Sequence, residues 1–337
     1  MRTKSGFLII ALAFVFVFAA SVSVLAVGPP PWAYGFTAPP AANETAPPPA
    51  APAAPPADLM SIKHVPGSDK EFTRKQIANQ YGPGDWFPGD HAAMPPIVEH
   101  GRQDAMIAAC SLCHYPNGKG RPENAGVSGL PTSYFIQTMH DFRDGNRKSS
   151  DPRKANTNRM ISFAKNMNDD EIKAAAEYFG SIKWTPWMTK VVETKMVPKT
   201  RANGGMFLTL EGNEKEAIGD RLIETPVDAE ATEVLRNDHS GFIVYAPPGS
   251  LKKGEALVKT GAGKTTACGL CHGEDLRGLG PVPPLAGRSP SYVGRQLYDM
   301  QSGARHGEWT NLMKPVVAKL TNDDMVAITA YLASVQP

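Results

Sequence analysis

Two stretches of the chain carry apolar residues at the spacing of an α-helix, and each begins with a polar segment that can cap a helix. The first follows Asn168-Asp-Asp-Glu171, which resembles a capping box, and the second follows Thr321-Asn-Asp-Asp324, which offers an N-cap hydroxyl and acidic residues in the first turn. The apolar positions are Ile172, Ala175, Ala176 and Phe179 in the first stretch and Met325, Ile328 and Leu332 in the second. The spacing predicts an amphipathic helix at each place.

Further helices are predicted upstream of these two. Residues 133–144 and 291–302 are interpreted as middle helices, each closed by a glycine. A helix around residues 254–257 is predicted to precede the second middle helix. In the matching region of the first half, Pro95 and Pro96 predict a leading helix that is shorter or displaced.

Residues 184–250 follow a different pattern. Short apolar runs at 191–192, 206–210 and 242–245 stand between turns that are rich in Gly, Pro and Asn. The runs predict a few short β-strands. We interpret this segment as a wrap that packs across the helical halves, with a docking surface for a partner as the alternative. The predicted fold is therefore mainly α, with an irregular insert of short strands between two helical units.

The two helical halves are copies of one unit. A shift of 158 positions superposes their Cys-x-x-Cys-His motifs, and farther along the offset becomes 153. An extra loop of about five residues around 149–153 in the first copy explains the change of offset. The matched pairs include Tyr134 with Tyr292, Asp141 with Asp299, Arg147 with Arg305, Met160 with Met313 and Tyr178 with Tyr331.

The first 58 residues are predicted to lie outside the folded units. Arg2 and Lys4 precede an apolar run, so residues 1–26 are typical of a secretory signal, and an uncleaved run would be long enough to anchor the chain in a membrane. Residues 27–58 are a Pro/Ala-rich linker that is not expected to bury a core. The predicted domains are 59–183 for the first unit with an N-terminal extension, 184–250 for the insert and 251–337 for the second unit.

Composition and charge limit the cellular compartments and the classes of partner that are compatible with this sequence. The formal net charge is only +2, and no clustered basic stretch indicates binding to nucleic acid. All four cysteines lie in the two motifs, so none remains for a structural disulfide. Closely spaced thiols are normally oxidised to disulfides after export. Covalent attachment of a cofactor is another reaction that would consume these thiols.

Each Cys-x-x-Cys-His motif is typical of covalent haem attachment. Two thiols on one turn face the two vinyl groups of the haem, and the adjacent histidine binds the iron. The residues predicted to hold two haem c groups are Cys110, Cys113 and His114 for the first, and Cys268, Cys271 and His272 for the second. A zinc site would need further ligands, and a redox-active cysteine pair would be expected in a βαβ context that is absent from the sequence.

The ligand on the opposite face of each iron decides the chemistry. Of the thirteen methionines, Met160 and Met313 align with each other under the repeat, each just upstream of the last helix of its copy. We predict that they are the axial ligands, because a thioether raises the reduction potential and leaves no open position on the iron. Four others align with different apolar residues and are interpreted as core: Met139, Met167, Met300 and Met325.

Histidines and tyrosines elsewhere receive simpler interpretations. The histidines without a repeat partner are interpreted as surface or packing residues, namely His64, His91, His100, His140, His239 and His306. Tyr134 and Tyr292, which recur, are expected to pack near a haem or at the contact between the copies.

With these motifs in view, the second copy resembles a class I cytochrome c domain, and the chain is most similar to the dihaem cytochrome c4 family. The resemblance rests on Cys268-Gly-Leu-Cys-His-Gly, on Pro-Leu-Ala-Gly at 284–287 and on the run that begins Leu312-Met-Lys-Pro. It covers roughly residues 100–183 and 251–336. The resemblance implies three to four helices around each haem, His/Met ligation of the iron and periplasmic electron transfer.

The first copy departs from the family pattern in one place. In the family, a proline carbonyl before Leu-Ala-Gly receives the ring N–H of the motif histidine, and Pro283 or Pro284 would supply it for His272. The first copy has Ala125 and Gly126 in the matching positions. The resemblance therefore predicts this hydrogen bond in the second copy and leaves it open in the first.

Three functions remain open at this level. A periplasmic electron carrier, soluble after signal cleavage or tethered to the inner membrane, would pass single electrons from a dehydrogenase or quinol-oxidising complex to a terminal oxidase or similar acceptor. A cytochrome subunit of a larger dehydrogenase or oxidase would use the same chemistry. A dihaem peroxidase would need an open position on one iron, and the paired methionines argue against it. The carrier is the function that we predict.

Overall fold

The computed structural model describes residues 28–45 and 58–337. The predicted signal or anchor at 1–26 and the central part of the Pro/Ala tract lie outside these residues. In the two described ranges, no helix combines the length and the apolar character that crossing a bilayer requires. The described chain contains two helical domains with a β-rich insert between them, as the sequence pattern predicts.

A buried helical turn, α1 (Pro31–Tyr34), lies in the segment that composition assigns to the linker. Trp32 Nε1 donates a hydrogen bond to Asn322 Oδ1 at 2.9 Å, and the Tyr34 hydroxyl donates to Asp299 Oδ1 at 2.7 Å. Both aromatic side chains are buried against the second domain. The prediction that the linker buries no core is therefore wrong for this turn. Average composition hides aromatic side chains that find specific partners on a distant part of the chain.

Residues 58–95 form an extension that precedes the first haem domain. Its elements are β1 (Ile62–Lys63), β2 (Phe72–Thr73) and α2 (Arg74–Ile77). The two strands pair antiparallel, and Thr73 and Gln76 form a capping box at the start of α2. A small apolar cluster around Trp86 and Phe87 holds the extension together.

The first haem domain contains α3 (Pro96–Glu99), α4 (Cys110–His114), α5 (Thr132–Arg143), α6 (Ala155–Asn166) and α7 (Asp169–Ser181). The leading helix α3 has only four residues, which confirms the effect expected of the two prolines. Helix α7 begins at the predicted capping box of Asn168 and Glu171. Its apolar face packs on α5 in one core together with Ile97 and Ile107.

The insert contains seven strands and one short helix. They are β3 (Met188–Glu193), β4 (Met196–Pro198), β5 (Thr200–Asn203), β6 (Met206–Thr209), β7 (Lys215–Ala217), β8 (Ile223–Pro226), α8 (Ala229–Glu233) and β9 (Phe242–Ala246). Strand β9 lies between β3, which is parallel to it, and β8, which is antiparallel. Two further antiparallel pairs, β4–β7 and β5–β6, complete the insert. The three apolar runs of the sequence are found in β3, β6 and β9.

The insert is joined to the N-terminal extension by side-chain contacts. Trp86 Nε1 donates to the carbonyl of Leu235 at 2.7 Å. The Phe87 ring stacks on His239 with 3.6 Å between ring centroids, and His239 Nε2 lies 2.6 Å from Asp90 Oδ2. These contacts bring together two segments that the repeat does not contain.

The second haem domain contains α9 (Ser250–Thr260), α10 (Gly269–His272), α11 (Pro290–Ser302), α12 (Lys314–Val317) and α13 (Asn322–Ser334). Helix α9 crosses α13 closely at Gly254, where a Cβ atom would lie 2.0 Å from the carbonyl oxygen of Ala327. The first copy has the continuous helix α6 where the second has a 3-10 turn followed by α12. Pro315 stands where the first copy has Ser162, and proline interrupts a helix at that point.

Asp324 connects three parts of the second domain. Its side chain caps α13 through the backbone N–H of Thr321, and it contacts Lys253 of α9 and Lys264 of the loop before the second motif. Burial opposes ionisation, but the hydrogen bonds from the two lysines outweigh it and hold the pKa of Asp324 well below its usual range. The ionised carboxylate therefore stabilises the folded chain.

Replacement of Asp324 by Asn should destabilise the protein in a pH-dependent way. The unfolded carboxyl titrates near pH 3.9, so its contribution is present above about pH 4 and is lost as the pH falls through the lower folded-state pKa. Urea unfolding of the holoprotein should show Asp324→Asn losing about 1–3 kcal/mol near neutral pH and much less near pH 2. The exposed Asp170→Asn is the control, with a change below about 0.5 kcal/mol. Equal losses at both pH values would contradict the assignment.

Candidate functional site

The first motif forms the short helix α4, and a hydrogen bond orients its histidine. His114 Nδ1 lies 2.8 Å from the carbonyl oxygen of Ala125, so the ring N–H donates to the backbone and Nε2 is left with its lone pair. The sequence left this bond open because no proline is present. The structure shows that it forms, since the acceptor is a main-chain carbonyl and alanine supplies one as well as proline does.

The second motif repeats this arrangement. His272 Nδ1 lies 2.8 Å from the carbonyl oxygen of Pro283, as the resemblance predicts, and in both copies the acceptor follows the histidine by eleven residues. Burial lowers the pKa of both His114 and His272, which favours the neutral imidazole that metal binding requires. Both rings are therefore ready to bind iron through Nε2.

A glycine closes the loop between each histidine and its acceptor. The N–H of Gly120 donates to the carbonyl of His114 at 2.9 Å, and the N–H of Gly278 donates to that of His272 at 2.8 Å. Both glycines have positive φ, and a Cβ on Gly120 would lie 2.4 Å from the oxygen that receives the ring of His114. The loop therefore requires glycine at this point in each copy.

The first cysteine of each motif packs against the core of its domain. Cys110 packs against the core of the first domain and Cys268 against that of the second. Burial raises the pKa of the Cys110 thiol to about 12 and that of Cys268 to about 11. Neither thiol is ionised at neutral pH, and both adjoin the apolar side chains that would surround a haem.

Two adjoining cavities that open to solvent lie beside the first motif, with empty space, open solvent included, of about 780 Å³ and 610 Å³. Both are lined by His114 and Met160, so the structure brings the two predicted ligands of the first iron together. Met139 also lines both cavities, and Met167 lines the smaller one. Met160 is the proposed ligand among these three methionines because it alone aligns with a methionine, Met313, in the other copy.

The lining of the larger cavity fits an amphipathic cofactor such as haem. Apolar side chains, including Val127, Leu130 and Phe142, line the cavity together with the cationic side chains of Arg147, Lys148 and Arg295. Haem has an apolar ring with two carboxylate groups at one edge, so an apolar lining that also contains cationic side chains suits it. The donor set of two thiols, an imidazole and a thioether is that of a c-type haem.

The predicted ligands of the second haem lie at positions in the second domain that match those of the first site in the first domain. Met313 ends a 3-10 turn, Glu308–Leu312, and precedes α12. It is half-buried and packs against the same core as Cys268. His272 is almost fully buried. In the second domain, therefore, Cys268 and Met313 pack against one core and the imidazole of His272 is buried.

A reciprocal set of hydrogen bonds joins the two domains next to the larger cavity. Arg147 Nη2 donates to the hydroxyl of Tyr292 at 2.9 Å, and Arg305 Nη2 donates to that of Tyr134 at 3.0 Å. Both guanidinium groups also donate to Gln296 Oε1, at 2.8 and 3.0 Å. The expectation for the two tyrosines is confirmed at the domain contact. The repeat aligns Arg147 with Arg305, but the sequence did not predict a role for either arginine.

The remaining histidines do not enter the haem cleft. His91 is buried, with Nε2 lying 3.3 Å from Asp85 Oδ2, and His239 pairs with Asp90 at the surface. His64 and His100 are largely exposed beside acidic residues. In the described ranges, no group of three or more His, Cys, Asp or Glu residues could hold a separate metal ion.

Known proteins resemble this chain over both helical domains. The cytochrome c family matches residues 98–183 and 251–336. Cytochrome c4 of Pseudomonas aeruginosa is 24% identical over 68% of this chain and 84% of that protein. The thiosulfate dehydrogenase electron acceptor of Stutzerimonas stutzeri is 36% identical over 71% of this chain and 84% of that protein. The crystal structure of reduced cytochrome c4 from Pseudomonas stutzeri is 21% identical, with a TM-score of 0.44, over 67% of this chain and 93% of that one.

Removal of either interface hydroxyl should destabilise the holoprotein. In Tyr134→Phe or Tyr292→Phe, a buried guanidinium loses one acceptor while the aromatic ring stays, which we expect to lower the free energy of unfolding by about 1–2 kcal/mol in each variant. Guanidinium chloride titration measures the change. Tyr81→Phe, in the N-terminal extension, is the matched control. Losses no larger than in this control would show that the hydroxyls do not hold the domains together.

Proposed function

Because this chain belongs to the cytochrome c family and carries two covalently bound haem c groups, we propose that it is a periplasmic carrier of single electrons. In this proposal it accepts electrons from a dehydrogenase or quinol-oxidising complex and passes them to a terminal oxidase or similar acceptor. The observation that carries the proposal is the duplicated site, in which each copy has a carbonyl-oriented histidine and a repeat-matched methionine.

The protein residues have defined roles in the proposed mechanism. Cys110 and Cys113 would hold the first haem through thioether bonds, and His114 and Met160 would be the protein ligands of its iron. Cys268 and Cys271 hold the second haem in the same way. A haem supplies a single-electron couple between ferrous and ferric iron. With a histidine and a methionine as ligands, neither iron would offer a position to a substrate, so the chemistry that the group would supply is electron transfer alone.

The hydrogen bonds around each site keep it in one geometry during electron transfer. The ring N–H of His114 is held by the Ala125 carbonyl and that of His272 by the Pro283 carbonyl, so neither imidazole turns when the charge on the iron changes. The reciprocal arginine–tyrosine bonds fix the two domains against each other beside the first haem cleft. Rigid sites of this kind favour rapid transfer because little has to rearrange.

A second candidate is a cytochrome subunit of a larger dehydrogenase or oxidase complex, which would use the same electron chemistry with a permanent partner. The relative of 36% identity is a thiosulfate dehydrogenase electron acceptor, which favours a dehydrogenase as the electron donor of this chain. A dihaem peroxidase is the less favoured alternative, because one iron would need a vacant or displaceable ligand position.

Haem counting and ligand spectroscopy test the carrier against the peroxidase. The mature protein should give two haems per chain in the pyridine haemochrome assay, the long-wavelength methionine–iron band in the ferric form and no turnover of peroxide. A high-spin fraction that consumes peroxide would exclude the carrier. A stable complex with a dehydrogenase through purification would favour the subunit instead.

Replacement of either proposed methionine ligand should remove half of the long-wavelength methionine–iron band. Met160→Ala and Met313→Ala should each abolish about half of its intensity and lower the potential of one haem by roughly 0.1 V or more, within the ~0.8 V range that axial ligands span. Met139→Leu is the matched control, since the second copy has Leu297 at that position, and it should keep the full band. Loss of the band in Met139→Leu, with retention in Met160→Ala, would transfer the ligand role to Met139.

A further inference from the structure

The segment around α1 contacts both haem domains and the insert. We call residues 30–38 the N-terminal strap. Trp32 and Tyr34 of the strap are only 3% and 0% exposed. The strap lies outside the two regions that match the cytochrome c family, residues 98–183 and 251–336. Membership of the family therefore assigns it no role, and its contacts have to indicate one.

The second domain has a notch that fits the indole ring of Trp32. Gly294 lies inside α11, where a Cβ atom would be 2.4 Å from the ring atom Cη2 of Trp32. The indole nitrogen donates to Asn322 of α13 at 2.9 Å. Glycine weakens a helix relative to alanine, yet only glycine leaves room for the ring at this point of α11.

The insert and the first domain also hold the strap. At Gly35 the main chain of the strap passes so close to Gly205 of the insert that a Cβ atom would lie 2.1 Å from its carbonyl oxygen. Lys154 of the first domain, which is 2% exposed, donates from Nζ to the carbonyl of Tyr34 at 3.3 Å. Three parts of the chain that are distant in sequence thus fix one short segment.

The extra loop of the first copy, around residues 149–153, contacts the strap as well. Arg153 Cζ lies 4.0 Å from the centroid of the Phe36 ring, and Arg153 Nη2 donates to the carbonyl of Ala38 at 2.8 Å. The second copy has no counterpart of this loop under the repeat. The loop and the strap are therefore two additions to the duplicated unit that pack against each other.

The strap supplies hydrogen-bond partners to two ionisable side chains that line the larger cavity beside the first motif. These are Arg295 and Asp299 of α11, which are 4% and 3% exposed. Arg295 Nη1 donates to the carbonyl of Ala33 at 2.6 Å, and the Tyr34 hydroxyl donates to Asp299 Oδ1 at 2.7 Å. Arg295 Nη2 donates to the carbonyl of Pro122, in the loop that follows the first motif, at 3.1 Å. The strap thus takes the place of water around both groups.

We propose that the N-terminal strap is a positioning element for the first haem, which holds Arg295 and Asp299 in the cavity wall, keeps water from them and thereby sets the reduction potential of that haem. The inference deepens the proposed function, because it concerns how one of the two haems carries its electron. Burial is one of the properties by which a protein sets a haem potential, since water stabilises the more highly charged ferric form. A docked strap therefore favours the ferrous form of the first haem.

Two substitutions release the strap from the two sides of one contact. Trp32→Ala removes the indole ring from the notch. Gly294→Ala fills the notch with a methyl group and strengthens α11 as a helix, so loss of that helix cannot explain its effect. If both act by release, the double variant should be altered no more than either single variant. Thr37→Ala, at an exposed residue of the strap, is the control.

Amide hydrogen exchange of the strap shows whether it is docked, without any redox measurement. In the unmodified holoprotein and in Thr37→Ala, residues 30–38 should exchange at least about tenfold more slowly than in Trp32→Ala and Gly294→Ala. Equally rapid exchange of the strap in the unmodified holoprotein would overturn the proposal, because the segment would then have no fixed place.

Spectroelectrochemical titration of the two haems measures the effect on potential, with each step assigned by its loss of the methionine band in Met160→Ala or Met313→Ala. At a fixed applied potential, release of the strap should lower the ferrous-to-ferric ratio of the first haem at least about threefold and change that of the second less than about 1.5-fold. Tyr34→Phe, which removes only the donor to Asp299, should keep the slow exchange and lower the ratio of the first haem about twofold, because a less neutralised carboxylate favours ferric iron.

The outcomes separate this inference from the proposed function. A released strap with unchanged ratios for both haems, or with equal shifts in both, would overturn the inference and leave the carrier intact. Absence of two haems or of the methionine–iron band from the unmodified chain would reject the proposed function itself. If Trp32→Ala does not mature, Gly294→Ala and Tyr34→Phe decide, and an unchanged first haem in both would overturn the inference.

Discussion

Each haem site depends on the hydrogen bond that the motif histidine donates from Nδ1 to a backbone carbonyl eleven residues later. This bond fixes the tautomer, turns Nε2 toward the iron position and determines how the following loop must close. Closure in turn requires glycine at positions 120 and 278, where the main chain has positive φ and passes too close to its neighbours for a side chain. The helices of each domain pack around a site whose orientation is set by this local constraint.

The contact between the domains follows from the duplication. Two copies of one unit carry the same residues, so an arginine and a tyrosine of one copy can meet the tyrosine and arginine of the other, as in the symmetric interface of a dimer. Gln296 breaks the symmetry, because it accepts from both guanidinium groups while the first copy has Thr138 in the matching position. The two buried guanidinium groups are thereby held by neutral acceptors, and that of Arg147 also lines the larger cavity.

The segments outside the repeat make the two sites unequal. The extension and the insert contact each other through Trp86, Phe87 and His239 and cover the side of the first domain that bears its motif. The turn of Trp32 and Tyr34 bonds instead to residues of α11 and α13 in the second domain. The residues around the first motif are thus held by the extension and the insert.

The sequence by itself determined the parts of this protein that depend on local chemistry. Cys-x-x-Cys-His motifs, helix caps, the duplicated unit and the matched methionines are all encoded within short stretches, because thioether attachment, capping and helical periodicity each need only neighbouring residues. The tertiary structure alone decided which carbonyl accepts the hydrogen bond from His114, how Arg147 and Arg305 bond across the two copies, and that Trp32 and Tyr34 are buried. These outcomes depend on surfaces brought together from distant parts of the chain, and burial at a position is set by what packs over it.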